Sequence, residues 1–347
     1  MSKQLIVKIG TSLAALCILM SGCNTPAKKD KQEATMPGYE LVNNWPQLPA
    51  NCVLGNPTGI GIDSEQHIFV FHRAYRKWIE PFTDSLITEN TVLKLDRNSG
   101  KILDAWGAHL FIMPHGLTVD QDNNIWVTDV ALHQVFKFSP NGKLLLKLGV
   151  EKIAGDDSLH FNLPTDVAVA ADRSFYVSDG YGNNRVVKFS ASGKYLFEWG
   201  KKGNKPGEFN LPHGISLDSA GNVYVADREN GRVQSFSPEG KFIKEWDHLH
   251  DRGAIYSVTN DTAKHKLIMI SYLTMGDTVK FSSLLVYNSV NRLEIHKSTL
   301  RKGGPACRYH DVAIDDEENI YVGDITNNTI QKFKKVKWKV TACGPEI

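Results

Sequence analysis

Charge of one sign is missing from this sequence: 40 Lys and Arg stand against 38 Asp and Glu, a formal net charge of +2. A surface that tracks a phosphate backbone needs clustered cations, so nucleic acid is excluded as a partner. Cysteine is scarce, with five residues, too few for a disulfide scaffold. A membrane-spanning run is also lacking. The apolar stretch Ile9 to Met20 has 12 residues and as a helix covers roughly 18 Å, short of the roughly 30 Å hydrocarbon core. No amphipathic helical period recurs along the chain. What is abundant is turn punctuation, 28 Gly and 14 Pro, with 10% aromatics, the mark of many short strands.

Lys3 and Lys8 ahead of the apolar stretch mark residues 1–22 as a signal peptide. Met20-Ser21-Gly22-Cys23 resembles a bacterial lipobox, which predicts a lipidated Cys23, a flexible tether over residues 23–38 and a folded domain over residues 39–347. The protein is then expected on the bacterial cell envelope, held to the membrane by lipid, as a monomer. Cys52, Cys307 and Cys343 remain, enough for at most one internal disulfide.

The chain repeats itself. Pro114-His115-Gly116-Leu117-Thr118-Val119-Asp120 matches Pro212-His213-Gly214-Ile215-Ser216-Leu217-Asp218, and Pro164-Thr165-Asp166 opens a looser copy. Each copy continues with a second strand (Ile125 to Asp129, Phe175 to Asp179, Val223 to Asp227), a polar loop and a third strand. A turn such as Ser139-Pro140-Asn141-Gly142 then opens a fourth. The prolines recur at about 50-residue intervals, the period of a propeller blade. Further copies begin at Pro57 and Tyr309, and residues 251–302 have room for one without the signature. The fold class is all-β: a six-bladed β-propeller with one degenerate blade.

The position after the signature proline is Thr58, His115, Thr165, His213, unassigned, and His310 in blades one to six. Innermost strands start near the channel mouth, so three imidazoles from alternate blades converge on the axis. That arrangement, with an open fourth position, suits a zinc-type catalytic site. Arg73, Tyr181 and Arg228 follow second strands at the same end. Two arginines suit an anionic ligand, a small molecule or peptide with a carboxylate, and a tyrosine there suits a general base. Asp120, Asp129, Asp179, Asp218, Asp227, Asp315 and Asp324 recur in register as turn-fixing residues.

The strings Trp126 to Phe138, Ser178 to Arg185 and Ala226 to Arg232, with the three histidines, resemble peptidyl-α-hydroxyglycine α-amidating lyases, six-bladed propellers of NHL repeats. The resemblance implies cleavage of a peptidyl-α-hydroxyglycine to an amide and glyoxylate. It makes His115, His213 and His310 the zinc (Zn2+) ligands, Tyr181 the catalytic tyrosine, and Arg73 and Arg228 the active-site arginines. It also implies a structural calcium (Ca2+) on the Ile60 and Leu117 carbonyls and the Asp311 carboxylate. Arg308-Tyr309 stands where animal members have Met-Pro, and Ala74-Tyr75-Arg76 replaces small and acidic residues. Two other functions remain open for such a propeller: a non-catalytic binding protein of the envelope, and a calcium-dependent lactonase or esterase.

Overall fold

Ile125, Trp126 and Val127 are all buried, although successive residues of a strand face opposite ways. Both faces of their sheet are therefore covered, and the two sides meet different neighbours. Ile125 and Val127 pack with Phe69, Phe71 and Phe111, whereas Trp126 packs with Phe175 and Val177. One residue along from Phe175, Tyr176 joins Val186, Val223 and Val225. Every sheet is thus cemented to one neighbour through its odd residues and to the other through its even ones.

The computed structural model describes residues 35–52, 54–246, 253–261, 266–275, 278–287, 292–299 and 307–339. The leader, Cys23 and Cys343 lie outside them, and Cys52 is a free thiol. A compact unit runs from Pro37 to Trp338; a second unit, the chain ends, lies almost wholly outside the described residues. Among the described residues, 24 strands form six four-stranded sheets. β1 (Thr35–Leu41) comes first in the chain and last in space. Blade one is β2 (Pro57–Ile62), β3 (Ile68–His72), β4 (Val92–Leu95) and β5 (Ile102–Trp106). Blade two is β6 (Pro114–Val119), β7 (Ile125–Asp129), β8 (Gln134–Phe138) and β9 (Leu144–Leu148). Blade three is β10 (Pro164–Val169), β11 (Phe175–Asp179), β12 (Arg185–Phe189) and β13 (Tyr195–Trp199). Blade four is β14 (Pro212–Leu217), β15 (Val223–Asp227), β16 (Arg232–Phe236) and β17 (Phe242–Trp246). Blade five is β18 (Ala254–Asp261), β19 (Lys266–Met275), β20 (Thr278–Tyr287) and β21 (Arg292–Thr299). Blade six is β22 (Tyr309–Ile314), β23 (Ile320–Asp324) and β24 (Thr329–Lys339), with β1 as its fourth strand beside β24.

The six-bladed propeller read from the repeat is the observed architecture, and residues 251–302 do hold the unsigned fifth blade. The first strands β2, β6, β10, β14, β18 and β22 touch in that cyclic order around the axis. β1 completes blade six from the other end of the chain, so the ring is closed by pairing first and last segments. It begins at Thr35, inside the stretch read as tether.

The recurrent aspartates do two jobs. Asp120 accepts hydrogen bonds from the Asp122 and Asn124 backbone N–H groups and from Trp126 Nε1, fixing the β6–β7 turn. Asp129, fully buried, accepts from the backbone N–H groups of Ile112 and Met113 with one oxygen and of Ala131 and Leu132 with the other. It thereby ties the end of β7 to the segment that delivers His115. Asp129→Ala strands four buried donors, and a loss of about 3–5 kcal/mol in urea unfolding is expected; a loss below about 1 kcal/mol would contradict this role.

Candidate metal centre and active site

The residue after each signature proline forms one layer across the channel. His115, His213 and His310 are all buried, and one potential ligand atom from each lies within 4.8 Å of the others. Each ring is oriented by the next blade. Nδ1 of His115 donates to the Thr165 carbonyl at 2.7 Å, that of His213 to Tyr256 at 2.6 Å and that of His310 to Thr58 at 2.9 Å. Placing the proton on Nδ1 leaves each Nε2 lone pair facing the axis, the usual tuning of a metal-binding imidazole by a carbonyl. Gly116 makes this approach possible: a Cβ there would sit 2.5 Å from the Thr165 carbonyl oxygen. The alternation of layers is thus Thr58, His115, Thr165, His213, Tyr256, His310, and Tyr256 fills the position that the sequence left unassigned.

Burial is the main reason that all three histidines are held well below their ordinary pKa; the charges of Arg73 and Arg228 also act on His115, and the neighbouring histidines on His213. Neutral imidazoles on three sides of one point are a donor set that fits a divalent transition metal.

Tyr181 Oη lies 3.1 Å from His115 Nε2 and 3.2 Å from His213 Nε2, and it accepts from Arg228 Nη1 at 3.3 Å. The repeat puts it there: the Tyr181 N–H bonds the Leu163 carbonyl, as Arg228 N–H bonds Leu211 and Arg73 N–H bonds Asn56, each just ahead of an inner strand. Arg73 is buried, donates from Nε to the Pro114 carbonyl at 2.9 Å, and has an Nη2 with no partner. Burial pulls its pKa down to about 10. A guanidinium so desolvated and incompletely satisfied is poised for an anion. Arg228 pairs with Glu229 at 2.7 Å and lies over the Tyr181 and Tyr256 rings.

The six residues assigned from sequence to zinc binding and catalysis therefore meet at one mouth. Sequence reasoning missed Trp78 and Tyr256. Trp78 sits on the long β3–β4 connection, its ring 4.8 Å from Tyr181 and 5.1 Å from the Arg73 guanidinium. No other blade has a counterpart, so the repeat carried no signal; the extra length of that connection was the one available clue.

One residue further down the channel, the half-buried Asp166 and the buried Asp311 share a layer with Gly116, Gly214 and Ser257. Ile60, Leu117 and Asp311 line a cavity of about 260 Å³ together with Asp166. Asp311 accepts from the Ile60 N–H at 2.7 Å and from Ser257 Oγ at 2.6 Å. Burial raises both carboxyls, Asp311 to about 7, and each raises the free energy of ionising the other. Two carboxylates beside backbone carbonyls are hard oxygen donors of the kind calcium takes. Asp166 was not among the residues assigned to this site.

Behind Arg73, His72 is buried; its Nδ1 accepts from the Ala74 N–H, and the Asn90 backbone beside its ring offsets only part of the cost of burial. Burial lowers its pKa from 6.5 to about 4. Between those values the unfolded chain takes up a proton that the native protein refuses, so His72 costs stability as pH falls from 6.5 toward 4. Asp179 and Asp311, raised by burial to about 6 and about 7, act in the opposite direction. The His72 contribution is read as a difference: the stability gap between wild type and His72→Gln is expected to shift by about 1.5 kcal/mol in favour of the variant between pH 6.5 and 5. A constant gap would contradict it.

The NHL repeat family matches residues 111–138, 161–189 and 209–236. Over 339 residues the chain is 34% identical to peptidyl-glycine alpha-amidating monooxygenase B of Xenopus laevis, covering 89% of this chain and 37% of that protein. It is 40% identical over 212 residues to peptidyl-alpha-hydroxyglycine alpha-amidating lyase 2 of Drosophila melanogaster, 57% of this chain and 51% of the relative. With a probable lyase of the same name from Caenorhabditis elegans the identity is 41% over 190 residues, 51% of this chain and 54% of the relative. The chain thus spans between about a third and about half of the length of these relatives. Among solved structures, a streptogramin B lyase superposes with a TM-score of 0.51 at 16% identity, covering 86% of this chain and 87% of that one. A gluconolactonase from Xanthomonas campestris gives 0.55 at 12% identity, covering 82% and 88%. Likeness at that identity concerns the fold alone.

Proposed function

From the homology of this chain to the peptidyl-α-hydroxyglycine α-amidating lyases, we propose that it is a metal-dependent lyase. Its reaction is cleavage of an N-acyl- or peptidyl-α-hydroxyglycine, or a similar carbinolamide, to an amide and glyoxylate. One observation supports this above the others: the Tyr181 hydroxyl lies within hydrogen-bonding distance of two of three inward-facing neutral imidazoles and of the Arg228 guanidinium.

His115, His213 and His310 would hold zinc, which supplies Lewis acidity toward the substrate oxygen. Arg73, with its unpartnered Nη2, binds the glycine carboxylate or the charge that develops beside it. Tyr181, as phenolate, takes the α-hydroxyl proton while the electron pair of the O–H bond becomes the new C=O bond. The C–N bond breaks, its pair goes to nitrogen, and Tyr181 returns the proton there. Arg228 donates to Tyr181 Oη and holds that oxygen in place. Trp78 packs against both Tyr181 and Arg73.

Beneath this layer, Asp311 with the Ile60 and Leu117 carbonyls would hold calcium, and Asp166 adds a second carboxylate to the same cavity. The charge of the ion would offset the mutual repulsion of the two acids. We place the protein on the bacterial cell envelope through a lipid on Cys23, as a monomer. The reaction is tested by incubating the purified chain with N-benzoyl-α-hydroxyglycine. Equal amounts of benzamide and glyoxylate above the spontaneous rate are expected; release at the spontaneous rate alone would defeat the reading.

A further inference from the structure

Three guanidiniums, not two, surround the site. The third belongs to Arg308, the residue just ahead of β22. Its backbone carbonyl accepts from the Ile325 N–H, the bond that Met113, Leu163 and Leu211 make in blades two, three and four. Those blades put an apolar side chain at this repeat position, and blade six puts a cation.

The Arg308 guanidinium lies 4.4 Å from the Tyr272 ring centre and donates to the Tyr272 hydroxyl. Tyr272 stacks on Tyr256 at 4.0 Å, and Tyr256 is 5.0 Å from His213 and 5.9 Å from His310. Arg308 therefore stands one aromatic pair away from the metal centre. Its Nε is buried without a partner, and among the described residues no carboxylate pairs with its guanidinium. After burial and the opposing pull of Tyr181 and Asp129, the charge of Arg308 is a further influence on Arg73, and a depressing one; the two cations feel each other. Among the described residues, Arg228 is the one of the three arginines that forms an ion pair with a carboxylate.

An uncompensated cation beside another in a desolvated pocket is costly unless a ligand brings the counter-charge. A monoanionic hydroxyglycine brings one carboxylate, which Arg73 meets, while Arg228 is engaged by Tyr181 and Glu229. We propose that Arg308 binds a second carboxylate, carried by the acyl half of the substrate, so that the natural substrate is a dianionic N-acyl-α-hydroxyglycine with an acid a few bonds from the amide. The stacked Tyr256 and Tyr272 rings form the wall along which the intervening methylenes lie. This deepens the proposed function and rests on it for the reaction, though not for the binding preference.

The test uses two pairs of probes differing in one charge. N-succinylglycine and N-succinamoylglycine are unreactive and report binding by calorimetry; the corresponding α-hydroxyglycines report turnover. Wild type is expected to bind the succinyl compound about tenfold or more tightly, with the same ratio in kcat/KM carried by KM. Arg308→Met should bring both ratios within about twofold of unity, while Arg308→Lys, which keeps the charge, retains a preference of about threefold or more. A wild-type ratio near one, or a ratio unchanged in Arg308→Met, overturns the inference; should the Met variant not fold, the wild-type and Lys ratios decide. Charge-selective binding without glyoxylate release defeats the proposed reaction and leaves the role of Arg308 standing. Equal turnover and equal binding of both probes defeats the inference alone.

Discussion

Tyr181→Phe is expected to lower glyoxylate release by about 10²–10⁴-fold while the fold and the metal content stay as in wild type. The substitution removes a single oxygen. That oxygen is the only atom of Tyr181 bonded to His115, His213 and Arg228, whereas the ring keeps its packing against Trp78 and in the cluster around Phe71 and Phe111. A proton acceptor is lost and nothing else at the metal centre changes, so the drop belongs in kcat rather than KM. An unchanged kcat would transfer the proton step to another group; a collapse of stability would make Tyr181 a structural residue.

His213→Ala should strip the centre. The remaining His115 and His310 offer two donors, and the Tyr256 carbonyl loses the Nδ1–H that it accepts. Metal content near one per chain in wild type is expected to fall to a small fraction, and release to fall on the order of 10³-fold or more. The protein should still fold, because the three buried imidazoles desolvate without a metal and contribute no apolar packing that Ala deletes wholesale. Full metal content in His213→Ala would show that the ion lies elsewhere, and the Asp166–Asp311 layer would be the first place to look.

The repeat made most of this legible. Blades two to four carry Pro-x-Gly or a close copy, so their strands, their innermost residues and the loops bearing Tyr181 and Arg228 could be aligned from sequence. Blade five has Ile255-Tyr256-Ser257 instead. No Pro-x-Gly signature marks its inner strand, and Tyr256, which orients His213 and stacks on Tyr272, went unassigned. Trp78 lies in an insertion peculiar to blade one, where repetition says nothing. The pairing of β1 with β24 brings together residues some 290 positions apart, a contact that local pattern does not encode. Asp166 was visible as a departure from glycine in the signature, but its partner Asp311 becomes one only when blades three and six face each other across the channel.

The central claim is that one metal on His115, His213 and His310 serves the cleavage. The direct measurement is to strip the purified protein with a chelator, confirm that release from N-benzoyl-α-hydroxyglycine stops, and titrate Zn2+ back while reading glyoxylate. Activity that climbs in proportion to added metal and levels off at one ion per chain, with no recovery in His213→Ala, is the predicted result. Full turnover in the stripped protein, or recovery in the variant equal to wild type, would contradict it.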